Sequence, residues 1–293
     1  MSRKPTRKST PNRNEPETTG HSWDGIEEFD NPLPRWWLWT FYACILFAIG
    51  YMIAYPAWPL INGATPGVLG YSSRAEVSKD IAAAETANAE VVARLVEADL
   101  AAVPENADLN RFAVQAGAAV FRTNCLQCHG AGAAGVQAAG YPNLLDDAWL
   151  WGGTVDDIYT TVSHGIRNET DPDARYSQMP AFGEILPQED IDAVVQHVRA
   201  ISGQEHDAAL ATQGATVFAE NCAACHGESG EGTRALGAPR LNDAIWLYGG
   251  DVDTLTETVV NARFGVMPAW QNRLREADIR AVALYVHQLG GGE

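Results

Sequence analysis

The sequence predicts an all-α protein: one membrane-spanning helix, then two tandem copies of one small helical domain. Three observations carry that prediction. Residues Trp36 to Trp58 form a 23-residue run without a charged side chain. The pattern C-x-x-C-H occurs twice, as Cys125-Leu126-Gln127-Cys128-His129 and as Cys222-Ala223-Ala224-Cys225-His226. The residues around the first copy return around the second at a constant spacing, and such a period governs every other assignment.

The repeat runs well beyond the motif. Gly117, Phe121, Asn124 and Cys125 reappear 97 residues later as Gly214, Phe218, Asn221 and Cys222. Pro142, Leu144, Trp149 and Gly152-Gly153 return as Pro239, Leu241, Trp246 and Gly249-Gly250. Beyond that the offset falls to 88. Ala174-Arg175-Tyr176 becomes Ala262-Arg263-Phe264, and Met179-Pro180-Ala181-Phe182 becomes Met267-Pro268-Ala269-Trp270. The first copy therefore carries nine extra residues, near 165–173 (97 − 88 = 9). The expected division is a tail (1–35), the span (36–58), a connector (59–106) and two domains, 107–203 and 206–293.

C-x-x-C-H is the attachment signature of c-type haem: two thiols bond to the porphyrin vinyl groups and the adjacent imidazole meets the iron. Cys125, Cys128, Cys222 and Cys225 are thus candidates for covalent attachment of two haems, with His129 and His226 as axial ligands. A zinc site or a redox-active CxxC pair uses the same residue types, but neither explains the methionines. Of four Met, Met1 is the start and Met52 lies in the apolar run. Met179 and Met267 stand in matching Met-Pro-Ala-aromatic segments, 50 and 41 residues after their haem histidines (179 − 129, 267 − 226). A lone Met is ordinarily core filler. Two at equivalent places, each before a proline that stiffens the loop, are candidate sixth ligands, and a Met/His pair raises the potential of an electron-transfer haem. Each is expected to serve the haem of its own repeat. His164 is a rival ligand in the first copy, but its counterpart is Asn261, which cannot ligate. His21, His197, His206 and His287 fall outside the pocket segments and read as surface or packing residues.

The helices follow from spacing. Ile191, Val194, Val195, Val198 and Ile201 recur at helical intervals behind an acidic first turn, and Ile279, Val282, Ala283 and Val286 repeat the pattern. N-terminal helices are expected near 109–124 and 208–221, where Gly117 and Gly214 permit a close crossing. Each copy is short for an independent core, so the haem must fill its centre.

At 1.5 Å per residue the uncharged run reaches about 34 Å, enough for a bilayer core. Trp36, Trp37, Trp39, Tyr55 and Trp58 lie near its ends, as interfacial aromatics do. It is too long, and begins too late, for a cleaved signal. Arg3, Lys4, Arg7, Lys8, Arg13 and Arg35 precede it, so the N-terminus is expected in the cytoplasm and both haem domains outside. The first 20 residues are expected to be disordered. Cys44 falls inside the span as a packing residue. Leu60–Gly70 reads as a loop and 73–102 as an Ala-rich surface helix, a spacer or a docking element. Residues 59–293 hold 14 Lys+Arg and 31 Asp+Glu, the remainder after 6 of each in 1–58, a net of −17. That sign excludes nucleic acid as a ligand and suits either solubility or the steering of a basic redox partner.

The pairing of CxxCH with a later Met-Pro resembles the class I c-type cytochromes: small all-α domains whose first helix leads into the haem motif and whose last helix crosses it. The resemblance sharpens elsewhere. His21-Ser22-Trp23-Asp24-Gly25-Ile26-Glu27-Glu28-Phe29-Asp30-Asn31-Pro32-Leu33-Pro34-Arg35-Trp36-Trp37, then Tyr55-Pro56-Ala57-Trp58-Pro59 and Gly70-Tyr71-Ser72-Ser73-Arg74, resemble subunit III (CcoP or FixP) of cbb3-type cytochrome c oxidases. Some members have a further N-terminal span; none is expected here. The resemblance implies an electron-transfer subunit in the inner membrane of a bacterium, carrying two covalent haem c groups. It would pass electrons from a donor cytochrome c to the monohaem subunit II. From there they would reach the haem–copper centre of subunit I, where oxygen is reduced and protons are pumped; this chain would hold no oxygen-reducing site. Arg175, Arg263, Trp149 and Trp246 are candidate propionate partners. A stand-alone membrane-tethered carrier and a dihaem peroxidase are the alternatives; the latter needs an open iron position, which two Met ligands deny.

Overall fold

The structure, a computed structural model, describes residues 16–293; the basic cluster 3–13 lies outside the described residues. The described residues divide into two compact units, those up to 85 and 86–293.

In the first unit, β1 (Thr18–Trp23) pairs antiparallel with β2 (Ile26–Phe29). Disorder was expected up to residue 20, so this hairpin is a correction. Its cause is Asp24-Gly25, both at positive φ (53° and 85°), the dipeptide that two-residue hairpin turns favour. Helix α1 (Arg35–Ala54) follows, 20 residues with no buried side chain, long and apolar enough to cross a membrane. It stops short of Trp58 because Tyr55 precedes Pro56 and is held extended, at φ −116° and ψ 162°. The expected loop contains a minimal hairpin, β3 (Pro59–Leu60) with β4 (Gly63–Ala64). Helix α2 (Ser73–Glu97) runs from this unit into the next.

In the second unit α2 ends earlier than expected. Asp99 caps a short 3-10 turn, Leu100–Glu105, which contains Pro104. Leu95, Leu100 and Val103 are buried there, and Arg280 Nη1 donates to the carbonyls of Leu95 and Ala98. The end of the connector is therefore core for the first haem motif, the extra apolar cover so short a domain needs. Eight helices complete the unit: α3 (Ala107–Asn124), α4 (Leu126–His129), α5 (Val155–His164), α6 (Gln188–Ile201), α7 (Ala208–Asn221), α8 (Ala223–His226), α9 (Val252–Asn261) and α10 (Glu276–His287).

The two tandem copies are present, and their closing helices pack crosswise. The close crossings predicted at the two glycines are present, with partners exchanged. A Cβ on Gly117 would strike the carbonyl oxygen of Ala281 on α10, and one on Gly214 would strike that of Ala193 on α6. Phe121 lies 5.6 Å from the Tyr285 ring, and Phe218 lies 5.1 Å from His197. One core joins Leu109, Phe121, Ile158 and Val162 to Ile279 and Val282; the other joins Phe218 and Leu255 to Val194, Val195 and Val198. Each packed module thus takes its first three helices from one sequence repeat and its closing helix from the other. The six-residue connection 202–207 explains this: it folds α6 back onto α7 as an antiparallel neighbour.

Candidate functional site

Both C-x-x-C-H motifs are built alike. Cys125 ends α3 and Cys222 ends α7, and in each case the next residue starts a single helical turn. That turn sets the two cysteines one turn apart, with Cys128 N–H bonded to Cys125 O (3.2 Å) and Cys225 N–H to Cys222 O (3.1 Å). Gly130 and Gly227, at φ 78° and 80°, stop the turn directly after the histidine. The four cysteines are free, the first of each pair half-buried and the second exposed. Burial, with the neighbouring cysteine, pushes the Cys125 and Cys222 thiols up to about 11.

The histidines are oriented identically. His129 Nδ1 lies 3.3 Å from the carbonyl oxygen of Pro142, and His226 Nδ1 lies 3.0 Å from that of Pro239. A proline carbonyl can only accept, so each ring donates from Nδ1 and keeps Nε2 as the lone-pair nitrogen a metal needs. Burial lowers both imidazole pKa values and keeps the rings neutral.

The methionine segments cross with the helices. Met267 packs on the core that contains Cys125 and Phe121, in the module of His129. Its backbone exchanges two hydrogen bonds with Ile166, each 3.0 Å. Met179 lies between Ser177, whose hydroxyl donates to Leu236 O, and Phe182–Glu184, where Gly183 abuts Val260 of α9 in the module of His226. Each Met was expected to serve the haem of its own repeat; Met267 packs instead on the core of the first motif, and the residues flanking Met179, Ser177 and Gly183, touch the module of the second. His164 Nδ1 lies 3.3 Å from a buried Asp171 carboxylate.

The four proposed propionate partners fare differently. Arg263 is fully used on α9, by Thr254 O, Thr258 Oγ1 and Glu257, and stacks 4.5 Å over Tyr248. The Trp149 indole N–H donates to Gly291 O. Trp246 abuts Gly250, with its own carbonyl taken by Gln137. Arg175 binds Asp157 through Nη2 but leaves Nε buried without a partner. Over it lies Trp151 at 5.8 Å, whose indole N–H is also buried and unpartnered. Two orphaned buried donors side by side fit an anionic group such as a haem propionate. Trp151 escaped the sequence reading. Its signal was the aromatic at the same place in both repeats, Trp151 and Tyr248, each with a polar handle before the glycine pair.

The two sites adjoin about an approximate two-fold axis. Gly140 lies against the ring of Tyr248 and, reciprocally, Gly237 against that of Trp151. A cavity of about 540 Å³ runs between the loops and is lined by both Pro142 and Pro239, the acceptors of the two histidines.

Two family models match the chain. The N-terminal domain of cytochrome oxidase-cbb3, FixP, matches residues 15–62. Cytochrome C oxidase, cbb3-type, subunit III, matches residues 112–198 and again 209–286. The chain is 64% identical to the "Cbb3-type cytochrome c oxidase subunit CcoP" of Cereibacter sphaeroides, over the full length of both. It is 54% identical to the subunit of that name from Rhodobacter capsulatus, again over both full lengths. It is 50% identical to the "Cbb3-type cytochrome c oxidase subunit FixP" of Sinorhizobium medicae, over 94% of this chain and 95% of that one.

Proposed function

The chain belongs to the subunit III family of cbb3-type cytochrome c oxidases, and from that premise we propose that it is the membrane-anchored dihaem relay of such an oxidase. Cys125 and Cys128 hold one haem c, with His129 and Met267 on its iron. Cys222 and Cys225 hold the other, with His226 and Met179. The observation that carries this reading is the pair of histidines clamped at Nδ1 by a proline carbonyl, the first in a module that also packs Met267. A c-type haem at each site supplies a reversible one-electron iron couple.

The protein's own residues do the rest. Pro142 and Pro239 fix the tautomer and raise the basicity of the ligating nitrogen. The thioethers of Met267 and Met179 favour the reduced iron. Trp151 and Arg175 donate to a propionate of the first haem. The adjoining modules keep the two sites within one folded unit, which supports transfer between them. A histidine and a methionine on each iron would leave neither open to oxygen. The oxygen-reducing centre and the proton pump belong to subunit I, reached through the monohaem subunit II, and electrons arrive from a donor cytochrome c steered by the acidic surface. Helix α1 sits in the lipid of the inner membrane with Arg35 on the cytoplasmic side and the haem modules in the periplasm.

Pyridine haemochrome assay of the purified chain is expected to report two haem c groups. In detergent it is expected to co-purify with haem b and copper; purification without them would make it a stand-alone carrier. Met267→His and Met179→His should each remove about half of the thioether-to-iron absorption of the oxidised protein and lower one potential. An unchanged band in either variant would refute that ligand.

A further inference from the structure

The nine residues that only the first repeat carries form a folded clasp. Gly165 opens it and Asp171 is its centre, with a side chain 1% exposed. That carboxylate accepts from the backbone N–H of Asp173 (2.9 Å), lies 3.3 Å from His164 Nδ1, and accepts from the Nε2 of Gln271. Gln271 stands four residues after Met267, on the segment arriving from the other repeat. The same segment is pinned at its backbone: Met267 and Ile166 exchange two bonds, and the N–H groups of Trp270 and Gln271 donate to Ser163 O at 3.1 Å. His164, Asp171 and Asp173 lie close enough together to resemble a cation site, but Asp171 already has its partners, so the group is a clasp.

The other methionine has no such device. The residue equivalent to Gln271 is Gly183, which has no side chain to donate. Among the described residues no backbone hydrogen bond joins 179–183 to α9.

We propose that the insertion 165–173 is a positioning clamp for the Met267 thioether, with Asp171 and Gln271 as its positioning residues. The proposal rests on Met267 being an iron ligand. An external ligand would reach the iron only when the loop carrying the methionine swings away. Its apparent affinity scales with the fraction of time the loop is open. The Asp171–Gln271 bond joins the loop to a buried carboxylate, so its loss should populate the open state roughly tenfold more, the effect of losing one hydrogen bond to a charged acceptor.

The test titrates imidazole into the full-length oxidised protein while following the thioether-to-iron band. Two phases are expected in the parent chain. Gln271→Ala, at an exposed position, and Asp171→Asn should each move only one phase, to about tenfold lower imidazole, and leave the other in place. Met267→His should abolish the phase that those variants move. Neither phase moving, or both moving together, would overturn the clamp while leaving the ligand intact. A thioether band unaltered in Met267→His would instead overturn the ligand assignment, and the clamp with it.

Discussion

At the scale of single residues, two glycines decide which helices can touch. Gly117 and Gly214 stand where a Cβ would occupy the space of a backbone oxygen on the crossing helix. Gly117→Ala should therefore cost about 1–3 kcal/mol, the usual toll of overpacking, and lower the melting temperature. Its spectral effect is the sharper reading. Because Gly117 meets Ala281 on α10, the helix that follows the Met267 loop, the disturbed thioether signal should be the one that Met267→His removes. A disturbance of the Met179 signal would contradict the exchanged packing. The candidate haem residues stand out in the sequence because covalent attachment of a c-type haem uses CxxCH, and two methionines recur at equivalent places after it. Trp151 was less legible, because a buried indole with an empty N–H is distinguishable from core filler only once its neighbours are known.

At the scale of elements, the helices appeared near where apolar spacing placed them, and their ends moved where local backbone chemistry intervened. Tyr55 before Pro56 cut α1 short, and Asp24-Gly25 closes a hairpin whose first three residues, 18–20, fall in the stretch expected to be disordered. The α6–α7 crossing contains a polar asymmetry between the repeats: His197 faces Phe218 where Tyr285 faces Phe121. Burial lowers the His197 pKa below its ordinary 6.5. A base whose folded pKa is lowered is protonated more readily in the unfolded chain, so stability is full above 6.5 and declines as pH falls below it. His197→Tyr, which copies the other repeat, should flatten that decline. Denaturant midpoints taken between neutral and mildly acid pH check it; an equal slope in both proteins would show that His197 is not a source of the acid sensitivity.

At the scale of the whole second unit, the exchange of closing helices could not be read from the repeat itself, because the repeat makes the partners interchangeable. Gly117 fits Ala193 as well as Ala281, since these occupy the same place in the two copies. Only connection length breaks the tie. Six residues, 202–207, separate α6 from α7, and a short connection favours the immediate neighbour. The result is a unit that cannot be divided along the chain. Cutting between α6 and α7 leaves α10 on α3 and α6 on α7, so each module still contains pieces of both fragments. A specific protease site placed at 203–206 should therefore yield two fragments that migrate as one species on size exclusion in detergent, with both thioether signals retained. They should separate only in denaturant, because the buried faces of α10 and α6 hold the modules together: Ile279 and Val282 on one, Val194 and Val198 on the other. Two contiguous domains would part under native conditions, each keeping its own haem and methionine, and that separation would refute the exchanged architecture.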